Sequence, residues 1–114
     1  MSEVTIYHNP RCSKSRQTLA LLEERGIEPR VVLYLEHPPN SDELRTLLDQ
    51  LDIGPRDLAR TKESIYAELG LAGASDDDLI TAMTTHPILI ERPIVQAHGK
   101  AALGRPPEAV ISIL

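Results

Sequence analysis

Val4-Thr5-Ile6-Tyr7-His8-Asn9-Pro10-Arg11-Cys12-Ser13-Lys14-Ser15-Arg16 is the stretch on which the fold turns. Val4-Thr5-Ile6-Tyr7 reads as a short strand, and Asn9-Pro10 is a turn signal that ends it. Ser13 to Arg25 reads as a helix, with Leu19 and Leu22 on one face and Gly26 as its stop. Val31-Val32-Leu33-Tyr34-Leu35 comes next as a second strand, an apolar run suited to a buried sheet position. A helix crossing between two strands predicts parallel pairing with a right-handed connection.

Further along, Pro38-Pro39 breaks the chain and Asn40 is placed to cap a helix, with Glu43 three residues on. Leu44, Leu47, Leu48 and Leu51 share one face of that helix. Gly54-Pro55 ends it, and a shorter helical stretch runs from about Pro55 to Leu69 with a break near Arg60 and Thr61. Gly70 and Gly73 mark loops. Ser75 caps another helix, with Asp78 at the capping-box position and Leu79, Ile80 and Met83 inward. After His86-Pro87 the pattern returns to strand in Ile88-Leu89-Ile90 and Ile94-Val95-Gln96-Ala97. His98-Gly99 is a turn, Lys100 to Leu103 a hairpin partner, and Pro106-Pro107-Glu108 opens a last helix to Leu114. The order β-α-β, helical block, β-β-α predicts an α/β thioredoxin-like fold with an inserted helical block at about 40–86. Residues 1–114 are expected to form a single domain.

Composition narrows the function. The chain has 114 residues, a formal net charge of −5, and neither Phe nor Trp. An acidic chain poor in aromatics does not suit a nucleic-acid partner. No apolar run approaches the length of a membrane span. Met1-Ser2-Glu3 lacks a basic region followed by an apolar stretch, so no signal peptide is expected. One cysteine makes no internal disulfide, and a lone thiol fits a reducing, cytoplasmic setting.

Against the acidic background, Arg11, Lys14 and Arg16 cluster around Cys12 with no carboxylate among them. Cys12 falls between a strand and a helix, where unpaired N–H groups and the helix dipole favour thiolate over thiol. The three cations add to this if they point inward, and a reactive nucleophile with a lowered pKa is the result. The same N-terminus suits an oxyanion, with Ser13 and Ser15 as hydroxyl donors. The bland alternative is a buried structural cysteine. A dithiol motif needs a second Cys at position 15, which is Ser15, so exchange within the chain is excluded. A cysteine-phosphatase loop needs Arg at position 18, which is Thr18. His8, His37, His86 and His98 are scattered, and no ligand pair has a metal-binding spacing.

Several pieces together resemble the glutaredoxin-coupled arsenate reductase family (ArsC-like) over nearly the whole length. They are Ile6-Tyr7-His8-Asn9-Pro10 with Cys12, Ser15-Arg16, Val32-Leu33-Tyr34-Leu35-Glu36, Leu69-Gly70-Leu71, His86-Pro87-Ile88-Leu89-Ile90, Arg92-Pro93-Ile94-Val95 and Gly104-Arg105-Pro106. The resemblance implies that Cys12 is the nucleophile, with His8 close to it. It implies that Arg60, Arg92 and Arg105 bind the oxyanion, and that the Arg92-Pro93 bond is cis. Three guanidiniums suit a dianion, since each offers two parallel N–H donors. The implied reaction is reduction of arsenate to arsenite with glutathione as co-substrate and glutaredoxin as recycling partner, and no tightly bound cofactor. Arg11, Ser13 and Lys14 make the loop more basic than in the best-known members, and the chain is short, as in a compact branch. Two other readings share the fold. One is a monothiol glutathione-dependent oxidoreductase whose arginines bind a peptide carboxylate. The other is a non-catalytic regulator of the kind that binds RNA polymerase, although such relatives typically carry the second cysteine that Ser15 replaces.

Overall fold

A computed structural model describes residues 3–114. Met1 and Ser2, two of the residues behind the expectation of no leader, lie outside the described residues. The chain divides into two units. The first is the chain up to His37 together with Arg92–Leu114, and the second is Pro38–Glu91.

The first unit is built on a four-stranded sheet in the order β2-β1-β3-β4. β1 (Thr5–His8) pairs parallel with β2 (Arg30–Leu33), and α1 (Ser13–Glu24) is the crossover between them. β3 (Ile94–Ala97) runs antiparallel to β1, and β4 (Lys100–Leu103) antiparallel to β3. A seven-residue 3-10 helix, Pro107–Ile113, closes the chain where the pattern predicts an α-helix. This is the thioredoxin-like arrangement. Ile6, Leu22, Val95 and Val110 are fully buried together, so β1, α1, β3 and the last helix share one core. Burying each such side chain is worth about 1.5–3 kcal/mol. The β3–β4 hairpin has a two-residue loop in which His98 (φ 55°) and Gly99 (φ 75°) are both left-handed. Such loops match the twist of the strands they join, and glycine takes the second position without steric cost.

Two sequence expectations change here. β2 is an edge strand, not a buried one, and Val31 is 44% exposed. With β1 as its single neighbour, Arg30 and Val31 are exposed and Val32 and Leu33 only half-buried. The run Ile88-Leu89-Ile90 is not a strand. Pro87 starts a 3-10 turn, Pro87–Leu89, and only Ile90 makes an isolated bridge, to Ala59.

The second unit is helical: α2 (Ser41–Leu51), α3 (Pro55–Leu58), α4 (Ser64–Glu68) and α5 (Asp76–Thr85). Leu44, Leu47 and Leu48 of α2 and Leu79, Ile80 and Met83 of α5 are buried, in keeping with their spacing. Asn40 Oδ1 accepts from the Glu43 N–H at 2.8 Å, and Glu43 Oε1 accepts from the Asn40 N–H at 3.0 Å, a complete capping box. Ser75 Oγ accepts from the Asp78 N–H at 3.2 Å and so caps α5. Arg45 pairs with Asp77 at 2.9 Å on the surface. Arg56 instead ties the loops down, donating to the Leu71 and Ala74 carbonyls at 3.2 and 2.6 Å.

Candidate active site

The Asn9–Cys12 turn is fixed by its own polar groups. The Cys12 N–H donates to the Asn9 carbonyl at 3.0 Å, and the Arg11 N–H donates to Asn9 Oδ1 at 3.0 Å. The Asn9 N–H donates to Ser15 Oγ at 3.0 Å. Ser15 is wholly buried and its Oγ also shares a hydrogen bond with His8 Nδ1. The end of β1, the turn and the first turn of α1 are thereby locked into one piece.

Cys12 occupies the cap position of α1 with extended backbone angles, and no side-chain oxygen fills that place. Burial alone would raise the thiol pKa. The Ser15 N–H, the Arg92 side chain bonded to the sulfur, the Lys14 N–H and the Arg92 charge together outweigh it, and the net pKa is lowered. The mechanism is the expected one, with a different cast. The cation acting on the sulfur is Arg92, two residues before β3, not Arg11, Lys14 or Arg16. Lys14 contributes its backbone N–H. Arg16 turns to the Pro10 carbonyl at 2.9 Å, and its charge acts on His8. Burial first, then the Arg16 charge, lower the His8 pKa below 6.5 and keep the imidazole neutral at pH 7.

Ser15 was expected to offer its hydroxyl to an oxyanion. That hydroxyl is engaged with Asn9 and His8, and what reaches the sulfur is the Ser15 N–H. Arg105 Nη1 donates to the Arg92 carbonyl at 2.9 Å, so these two expected oxyanion ligands are joined through the backbone of one of them. The Arg92-Pro93 bond is cis, as the resemblance implied, and Arg105-Pro106 is a second cis bond that no sequence pattern signalled. Arg60 belongs to the second unit. There its guanidinium pairs with Glu91 at 2.9 Å and lies 3.8 Å from Glu63.

One residue packed beside the Arg92-Pro93 segment has no physical reason attached to it in the sequence. Gly104 donates its N–H to the Pro93 carbonyl at 2.9 Å. A Cβ at this position would come within 2.7 Å of the Pro93 ring and would also strike the Thr18 side chain. Thr18 is itself buried and donates back to the Lys14 carbonyl at 2.8 Å. The bare backbone of Gly104 thus sets how closely β4 approaches the Arg92-Pro93 turn. The signal lay in Gly104-Arg105-Pro106, a glycine beside a candidate oxyanion ligand.

Among the described residues, no three His, Cys, Asp or Glu side chains are grouped so as to hold a metal ion. No described helix is long and apolar enough to cross a membrane.

A family model described as the ArsC family matches residues 7–113. The chain belongs to the ArsC family. Its ArsC relatives include an uncharacterized protein, YfgD, of Escherichia coli, 56% identical and covering 98% of this chain and 97% of its own. A protein of Neisseria meningitidis serogroup A named arsenate reductase is 50% identical over the full length of both chains. Among solved ArsC-type structures, an arsenate reductase from Vibrio cholerae is 55% identical. It superimposes with a TM-score of 0.96 over 98% of each chain.

Proposed function

We propose that this ArsC-family chain reduces arsenate to arsenite, with Cys12 as the nucleophile and glutathione and glutaredoxin as external thiols in a cytoplasmic, reducing setting. The observation that carries the proposal is the place of Cys12 at the uncapped N-terminus of α1, where the first N–H groups and the Arg92 side chain lower its pKa. The relatives from Neisseria meningitidis and Vibrio cholerae, both named arsenate reductase, support the choice of oxyanion.

In the proposed reaction the Cys12 thiolate attacks arsenic(V). One As–S bond forms, one As–O bond breaks, and the oxygen leaves as water. Arg92 and Arg105 hold the remaining oxygens, where donors already in place stabilise the charge that shifts onto them. Arg60 enters on the sequence resemblance alone. His8, neutral and bonded to Ser15, positions the residue whose N–H acts on the sulfur. Glutathione then forms a second As–S bond as another oxygen leaves as water. A glutaredoxin thiolate attacks the glutathione sulfur, and the electron pair of that As–S bond passes to arsenic, which becomes arsenic(III). The two sulfurs depart as a mixed disulfide. Hydrolysis of the Cys12–As bond frees arsenite and the thiolate. Two thiols are oxidised for each arsenic reduced; with one cysteine in the chain at least one of them must come from outside, and in this order of steps both do.

The test is arsenate-dependent NADPH oxidation in the presence of glutathione, glutaredoxin and glutathione reductase. Turnover is expected with the wild type and is expected to fall by at least about 10³-fold in Cys12→Ser, as when a catalytic nucleophile is removed. No turnover, or turnover that survives Cys12→Ser, overturns the reading. Release of glutathione from mixed disulfides without any arsenate activity would put the monothiol oxidoreductase in its place.

A further inference from the structure

We propose that the groove beside the Cys12 loop, between Arg11 and Glu36, is the glutathione site. It would bind glutathione as a zwitterionic peptide with its sulfur toward Cys12. This rests on the reading of Cys12 as a nucleophile that needs an outside thiol.

The groove has a volume of about 390 Å³. That lies in the range of small-molecule sites, about 300–1,000 Å³. One wall is the turn from His8 to Arg11, which leads directly into Cys12. The other is the end of β2 and the turn after it, with Leu33, Leu35 and Glu36. Leu35 is 39% exposed, and with Leu33 it gives the groove an apolar floor. The Glu36 N–H donates to the Leu33 carbonyl at 2.9 Å, a turn that fixes the backbone carrying the carboxylate. Arg11 is held in the same way by its N–H bond to Asn9, and both side chains are exposed.

A cation on one wall, an anion on the other and hydrocarbon between them select among ligands. A second oxyanion is disfavoured, because Glu36 repels it and the leucines offer it no donors. A simple thiol such as 2-mercaptoethanol has no charge for either wall. Glutathione has two carboxylates, one of them for Arg11, an ammonium for Glu36, and the methylene groups of its γ-glutamyl arm to lie on the leucines. From this position its sulfur forms the second As–S bond of the proposed reaction. One As–O bond breaks, the thiol proton leaves with that oxygen as water, and arsenic stays arsenic(V) until the second thiol acts.

The experiment titrates the full chain with S-methylglutathione, which cannot react, and follows backbone amide signals. Saturable shifts are expected at Asn9, Arg11, Leu35 and Glu36. Glu36→Arg is expected to weaken this binding about five-fold and to raise the KM for glutathione by a similar factor. The KM for arsenate should stay unchanged. Leu35→Gln, at a position already exposed, is a second variant expected to act in the same direction. Shifts confined to another surface, no saturable binding, or Glu36→Arg and Leu35→Gln that bind like the wild type would each overturn the proposal. Binding in the groove together with no arsenate turnover would support the site and overturn the arsenate reading instead.

Discussion

The N-termini of α1 and α2 solve the same physical problem in opposite ways. Every helix starts with N–H groups that have no partner within it. α2 closes its end fully, with Asn40 and Glu43 in a reciprocal box and Asp42 and Glu43 supplying negative charge to the first turn. α5 does likewise, with Ser75 as cap and Asp76, Asp77 and Asp78 behind it. α1 has a sulfur at the cap, no acidic residue in its first turn, and Arg92 facing the thiol. The helical unit thus devotes the N-termini of α2 and α5 to stability. The sheet unit leaves one terminus without a side-chain cap, and its free N–H groups, with Arg92, lower the pKa of Cys12.

The comparison can be tested from its largest consequence downward. Arg92→Ala is expected to lower arsenate turnover by about 100-fold, the usual scale for losing one preorganised donor to an oxyanion. Kinetics that do not change would detach Arg92 from the chemistry. Alkylation of Cys12 by iodoacetamide should rise with pH to a plateau, because only the thiolate reacts. The lowered pKa puts the half-maximal rate below that of a free thiol, about pH 8.5. In Arg92→Ala the midpoint should move to higher pH, and a midpoint that stays put would assign the effect to the helix N–H groups alone.

The smaller effects fall on stability. Asn40→Ala should cost about 1 kcal/mol. For a domain of this size that lowers Tm by about 4 °C in a thermal melt, with arsenate turnover preserved. Cys12→Asp places an oxygen at the open terminus and is expected to raise Tm by a few degrees while abolishing turnover. A Tm that falls would mean that α1 is not short of a cap, and the contrast between the two helices would lose its basis.

Local rules made much of the molecule legible. The Asn40–Glu43 box, the Ser75 cap, the buried faces of α2 and α5 and the β3–β4 hairpin all depend on residues a few positions apart. The errors came from non-local facts. An apolar strand such as β2 does not reveal whether it has one neighbour or two, since strand order is decided by the rest of the sheet. Ile88-Leu89-Ile90 looks extended by composition, but Pro87 and the turn bonds that the Leu89 and Ile90 N–H groups donate to the His86 and Pro87 carbonyls settle its backbone first. The Cys12 thiol was recognisable from its loop. Its cationic partner was not, because Arg92 reaches it only after β3 has been laid beside β1. Only the resemblance singled out Arg92, and the nearby Arg11, Lys14 and Arg16 were the natural wrong choice.

The contact between Gly104 and Pro93 has a mechanical consequence. With no side chain between β4 and the Arg92-Pro93 turn, the fit tolerates no added thickness. Even the methyl group of an alanine would act as a shim, pressing on Thr18 of α1 and on the Pro93 ring beside Arg92 while leaving every reacting group chemically intact.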